Sequence, residues 1–113
     1  VPYSNKKMAS MDMEERYRLI MSTIFRALGF RVEVERMLAT GRIDMIVEVP
    51  SFIYVLELKL SNNGGISAAE NQIKDKSYTE PFKADKRKVI ALAVELDETG
   101  KGLIDWKEVD EGV

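Results

Sequence analysis

A chain of 113 residues has room for one packed core and not for two. Hydrophobic residues at 45% and charged residues at 32% are ordinary globular usage, and no apolar run reaches the length of a transmembrane helix. Lys plus Arg number 17 against 19 Asp plus Glu, a formal charge of −2 that argues mildly against tight, sequence-independent binding to nucleic acid, and the absence of both Cys and His excludes disulfides, thiolate or imidazole metal sites and imidazole general bases. Hydrolytic chemistry in this chain must therefore run on carboxylates, lysine and metal.

Residues 1–10 are polar, with Pro2, Ser4 and Asn5, and read as a linker or N-terminal arm ahead of a domain spanning 11–113. They lack the apolar stretch of a secretory signal, so a cytoplasmic location is expected. A start at Val1 suits a piece of a longer protein. From Asp12 the apolar residues Met13, Tyr17, Ile20, Met21, Ile24, Phe25 and Leu28 recur every three or four positions. This predicts a helix capped by Asp12 and ended by Gly29. Glu14 and Glu15 fall in its first turn, where acidic side chains complement the helix dipole. Glu14 shares a stripe with Tyr17, Arg18 and Met21, which makes it the better candidate to point into a site.

Phe30 to Leu38 alternates apolar and polar, as an outer strand with one wet face does. Two apolar strands follow, Arg42 to Val49 and Phe52 to Leu60, meeting at Pro50-Ser51. A two-residue turn there places Val49 opposite Phe52, Asp44 opposite Glu57 and Arg42 opposite Lys59. Opposed residues share a sheet face, so Asp44 joins Glu57 and Lys59, with the two carboxylate-bearing Cβ atoms about 5 Å apart. Ile46, Ile53 and Val55 lie on that face, and Met45, Val47, Leu56 and Leu58 on the other, so both faces are expected to be covered. A Glu-x-Lys on an amphipathic strand is ordinarily a solvated face; the registered aspartate is what sets this one apart.

Two carboxylates held so close raise each other's proton affinity unless a cation sits between them. Mg²⁺, or Mn²⁺, suits the set of Asp44, Glu57 and the backbone carbonyl of Leu58, since hard cations take oxygen ligands and keep several waters. Lys59 beside such a cation is placed to orient water and to offset charge on a phosphodiester.

Ser61-Asn62-Asn63-Gly64-Gly65 reads as a loop, and a second helix is predicted from about Ser67 into the late seventies, before Pro81. Gln72 and Lys76 are one turn apart on it, beside Ala68 and Ala69, with Tyr78 near its end. Such a polar stripe is ordinarily solvent-facing; here the helix returns across the sheet and can reach the site. Lys83, Lys86, Arg87 and Lys88 form the densest basic cluster, either a solvated surface or a phosphate contact. Val89 to Leu96 is nearly all apolar and predicts a central strand beside the one bearing Glu57, reached by a right-handed crossover. Leu103, Ile104, Trp106 and Val109 predict a last, edge strand with Trp106 covering the core.

The order helix, three antiparallel strands, helix, strand, with Gly41-Arg42-Ile43-Asp44 and Glu57-Leu58-Lys59 on the second and third strands, resembles the PD-(D/E)XK nuclease superfamily. It is most similar to the group found C-terminal to an AAA-ATPase-like region in bacterial proteins. Glu14 with Tyr17, Gln72 with Lys76 and Tyr78, and Pro81-Phe82 before Arg87-Lys88-Val89 complete the resemblance, which runs from Glu14 to about Trp106. Ile43 stands where the family has proline, and Arg18 where a histidine often follows the tyrosine; the second departure leaves the role of that position open.

The resemblance implies an α/β, restriction-endonuclease-like fold, a central mixed sheet flanked by helices in the order α-β-β-β-α-β-β. It implies Asp44 and Glu57 as metal ligands, Lys59 as the catalytic lysine, and Glu14 and Gln72 as auxiliary site residues. Arg42, Lys76 and Tyr78 are the expected nucleic-acid contacts. The expected activity is metal-dependent hydrolysis of the phosphodiester bonds of nucleic acid, with DNA the expected substrate, in a chain with an upstream AAA-ATPase-like partner domain, no membrane association and a homodimer where both strands of a duplex are cut. The competing reading is a nuclease-fold module without catalysis that binds nucleic acid or protein beside an ATPase.

Overall fold

In the computed structural model, residues 12–110 are described. The expected N-terminal arm, residues 1–10, lies outside them. The elements follow the expected order: α1 (Met13–Ala27), β1 (Arg31–Leu38), β2 (Gly41–Glu48), β3 (Phe52–Leu60), α2 (Gly65–Lys76), β4 (Lys88–Leu96) and β5 (Leu103–Val109), with short 3₁₀ turns at Ser61–Asn63 and Glu80–Phe82. They build one five-stranded sheet in the order β1-β2-β3-β4-β5. Only β3 and β4 run parallel; the other neighbours are antiparallel. This is the mixed sheet with flanking helices of a restriction-endonuclease-like α/β fold.

Each face of the sheet is packed by one helix. Asp12 caps α1 by accepting the Glu15 N–H at 2.8 Å, and Gly29, at φ +93°, lets the chain leave the helix where a side chain would be strained. Tyr17, with Met13, Met21 and Phe25, packs on Met45, Val47, Leu56, Leu58, Val94 and Leu96. On the other face Ala69 and Ile73 of α2 pack on Ile46, Ile53, Val55, Ala91 and Ala93. The near-continuous apolar runs of β2, β3 and β4 follow from this double coverage.

The turn at Pro50-Ser51 is the two-residue one expected, closed by the Val49 N–H donating to the Phe52 carbonyl at 3.0 Å, and Met45 pairs with Leu56 in the matching register. Helix α2 begins two residues earlier than its sequence suggests. Glu95 on β4 explains this: its carboxylate accepts the Ile66 N–H at 3.0 Å and the Ser61 hydroxyl at 2.6 Å, supplying from a distant strand the cap the local sequence lacks. Those bonds also hold the Glu95 carboxyl below its ordinary value, the Ser61 bond first.

One expectation fails. Trp106 does not cover the core: it is 60% exposed. It pairs with Val94 on the α1 side of the sheet, where α1 packs chiefly over β1, β2 and β3 and leaves this part of β5 uncovered.

Candidate active site

The site forms where the regular hairpins give way. Strands β1 and β2 pair on both sides of Glu35 and Asp44, as Val34 with Met45 and Arg36 with Ile43, but not at that position itself. Glu35 has φ +54°, a left-handed conformation that costs energy in a residue with a side chain. Val34 and Met45 pack against the α1-side core, whereas Leu38 and Ile43 pack against the α2-side core, so the hairpin exchanges faces across this point. Strands β2 and β3 change together with it. Their pairing ends at Met45 and Leu56, and the next contact is the Leu58 N–H donating to Asp44 Oδ2 at 2.9 Å.

A cavity of about 350 Å³ opens there, and its lining brings together residues from both helices and three strands. Glu14, Arg42, Asp44, Glu57, Lys59, Gln72, Lys76 and Tyr78 all border it, as do Met37 and Gly41. Every side chain singled out in the sequence as a site candidate is thus in one place. Leu58 contributes through its backbone, its side chain being buried in the α1-side core. Of the two acidic residues at the start of α1, Glu14 borders this cavity and Glu15 faces a neighbouring surface.

Asp44 and Glu57 are buried, at 2% and 3% exposure, which is exceptional for carboxylates. Burial pushes the Glu57 carboxyl well above its ordinary range, and the negative charge of Asp44 and a hydrogen bond with it push further, against the pull of Lys59. Glu14 is raised too, first by burial and then by Asp44, with Lys59 and Arg18 opposing. The Tyr78 hydroxyl is raised by its burial, by the charges of Glu57 and Asp44 and by a hydrogen bond to Glu57, so it stays protonated as a donor. Glu57 Oε1 and Gln72 Oε1 are buried without a hydrogen-bond partner. Both oxygens, one of the Glu57 carboxyl and one of the Gln72 amide, can accept from water or meet a cation. Hard oxygen donors of this kind fit Mg²⁺ or Mn²⁺. Among the described residues no group of three or more His, Cys, Asp or Glu side chains is arranged to hold a common metal ion.

One participant was not a sequence-based candidate. Arg18, 6% exposed, reaches Glu14 Oε1 at 3.7 Å, Glu35 Oε1 at 2.9 Å and Asp44 Oδ1 at 3.8 Å. Its place one helical turn after Glu14 was visible; its burial was not. Arg42 lies nearer the mouth, with contacts at 3.5 Å to Asp44 Oδ1 and 3.9 Å to Glu35 Oε2. Two residues of the basic cluster further on are ion-paired: Arg87 binds Glu48 at 2.8 Å and Asp85 at 2.9 Å, and Lys83 binds Glu80 at 3.0 Å. A larger surface cavity of about 640 Å³, bordered by Lys83, Lys88 and Glu108, holds no pair of buried carboxylates.

A mixed sheet between two helices, with an Asp and a Glu-x-Lys meeting at the end of adjacent strands, defines a restriction-endonuclease-like domain. The chain belongs to the PD-(D/E)XK nuclease superfamily, whose model matches residues 12–106. It is also similar to an uncharacterized protein in the vnfD 5' region of Azotobacter chroococcum mcd 1, 29% identical over 93 residues. That match covers 82% of this chain and 18% of the relative, so the chain spans less than a fifth of that protein's length. No solved structure matches. Among the described residues, no helix is long and apolar enough to cross a membrane.

Proposed function

We propose that this domain is a metal-dependent nuclease that hydrolyses phosphodiester bonds of DNA. The observation that carries the reading is the meeting of two buried carboxylates, Asp44 and Glu57, with Lys59 on one cavity, in a chain of a nuclease superfamily. Asp44, Glu57 and the Leu58 carbonyl are the groups that would hold Mg²⁺ or Mn²⁺, and the cation, when bound, supplies Lewis-acid activation of water and of the phosphodiester.

The remaining roles belong to the chain itself. Lys59 brings a fixed positive charge to the carboxylates and offsets the charge that develops on the phosphoryl oxygens. Gln72, whose amide oxygen is unpartnered, orients water in the cavity. Glu14 anchors water at the opposite wall. Arg42 and Lys76 border the cavity and pair with backbone phosphates, with Tyr78 offering a neutral hydroxyl donor from within.

The wider reading rests on the resemblance: a bacterial cytoplasmic protein in which the nuclease domain follows an AAA-ATPase-like region and acts as a homodimer on duplex substrates. Cleavage of linear, single-stranded and branched DNA and of RNA, each with Mn²⁺, tests the activity against Lys59→Ala. Cleavage of DNA that the variant loses supports the nuclease. A folded protein that binds DNA without cutting it in any panel member points instead to the non-catalytic module.

A further inference from the structure

Two carboxylates that flank the site from α1 and β2, Glu14 and Asp44, already share a cation, and that cation is the protein's own. The same Arg18 nitrogen, Nη1, stands 3.7 Å from Glu14 Oε1 and 3.8 Å from Asp44 Oδ1. The guanidinium is fixed from its other side by Glu35, whose carboxylate meets Nη2 at 2.9 Å. Glu35 is the residue with left-handed backbone that interrupts β1 opposite Asp44. A residue held in a costly conformation and bonded to a buried arginine has been fixed there by its surroundings. The other side of the carboxylate pair is different: Glu57 Oε1 is buried and unpartnered.

We propose that the site takes one divalent cation, through Asp44 and Glu57, and that Arg18 occupies the place between Glu14 and Asp44 that a second ion would need. This inference rests on the nuclease reading of the same site. Arg18 is then a positioning residue. It sets one positive charge against Glu14, Glu35 and Asp44, and together with Arg42, 3.5 Å away, it meets Asp44 Oδ1 while the Leu58 N–H holds Oδ2. A guanidinium at such a point excludes a cation by repulsion as well as by volume.

Counting bound Mn²⁺ tests this without recourse to activity. Titration of the whole chain, followed by electron paramagnetic resonance of free Mn²⁺ and by calorimetry, is expected to give one ion per chain. Arg18→Lys, which keeps a charge at the position, is expected to bind one as well. Arg18→Ala removes the guanidinium that Glu14 and Asp44 share, leaves Arg42 in place at the mouth, and is expected to bind a second, weaker ion. Two ions on the unaltered chain overturn the proposal while leaving the nuclease reading intact, and this arm needs no variant to fold. A folded Arg18→Ala that still binds only one also overturns it. No ion on the unaltered chain overturns both.

Discussion

The backbone N–H of Leu58 donates to Asp44 Oδ2 at 2.9 Å, where the pairing of β2 and β3 has stopped. Asp44 is therefore both a prospective ligand and the group that closes the end of this hairpin. Asp44→Ala leaves a buried donor unsatisfied and is expected to cost about 1–3 kcal/mol in urea denaturation. Asp44→Asn keeps an acceptor, so it should retain most of the stability while losing Mn²⁺ affinity. Equal stability losses in the two variants would contradict this double role.

Glu57 gives the metal-free domain a pH dependence of known sign. Its carboxyl is raised in the folded state by burial first and by Asp44 second, so the folded protein holds a proton that the unfolded chain releases near the ordinary carboxylate value of 4.5. The contribution to stability is present below that value and is lost as pH rises through the elevated one. Denaturation midpoints of the metal-free protein between pH ~5 and ~9 should fall with a slope that Glu57→Gln flattens. Mn²⁺, which replaces the proton, should bind more tightly as pH rises over that range.

Gly41 opens β2 at φ +152°, and a Cβ built there comes within 2.9 Å of the Lys76 side chain. The turn is also tied to α2, since the Thr40 hydroxyl donates to the Lys76 carbonyl at 2.9 Å. Gly41→Ala should displace the Lys76 ammonium from the cavity. It is expected to weaken DNA binding about as much as Lys76→Ala does, with ~1–3 kcal/mol of backbone strain. Fluorescence anisotropy at fixed salt measures the first effect, and denaturation the second.

Tyr17 belongs to the motif on α1 but not to the chemistry. Its hydroxyl donates to the Asp97 carbonyl at 2.7 Å and accepts the Gly102 N–H at 3.0 Å, pinning the loop between β4 and β5 to the helix that carries Glu14 and Arg18. Tyr17→Phe leaves both backbone groups without this partner and should cost about 1–3 kcal/mol, with Mn²⁺ affinity retained at temperatures where the domain stays folded.

The sequence by itself determined the element order and the register that brings Asp44 to Glu57, while the company of Glu14, Gln72, Lys76 and Tyr78 around them was implied by the resemblance to the superfamily. The order and the register rest on local chemistry: helical and strand periodicities, a two-residue turn at Pro50-Ser51, and the fixed alternation of side chains along strands. Where coverage depended on a distant element, local pattern failed. Trp106 reads as a core residue because it is large and apolar, yet the position of α1 leaves it at 60% exposure. The early start of α2 needed Glu95 from another strand. Above all, the tertiary structure decided the surroundings of the carboxylates. Glu35 in a left-handed conformation exchanges the faces of the β1-β2 hairpin, and Arg18 is drawn between Glu14 and Asp44. No spacing reveals either, because both arise where three separate elements must share one buried volume and its charges must be balanced together.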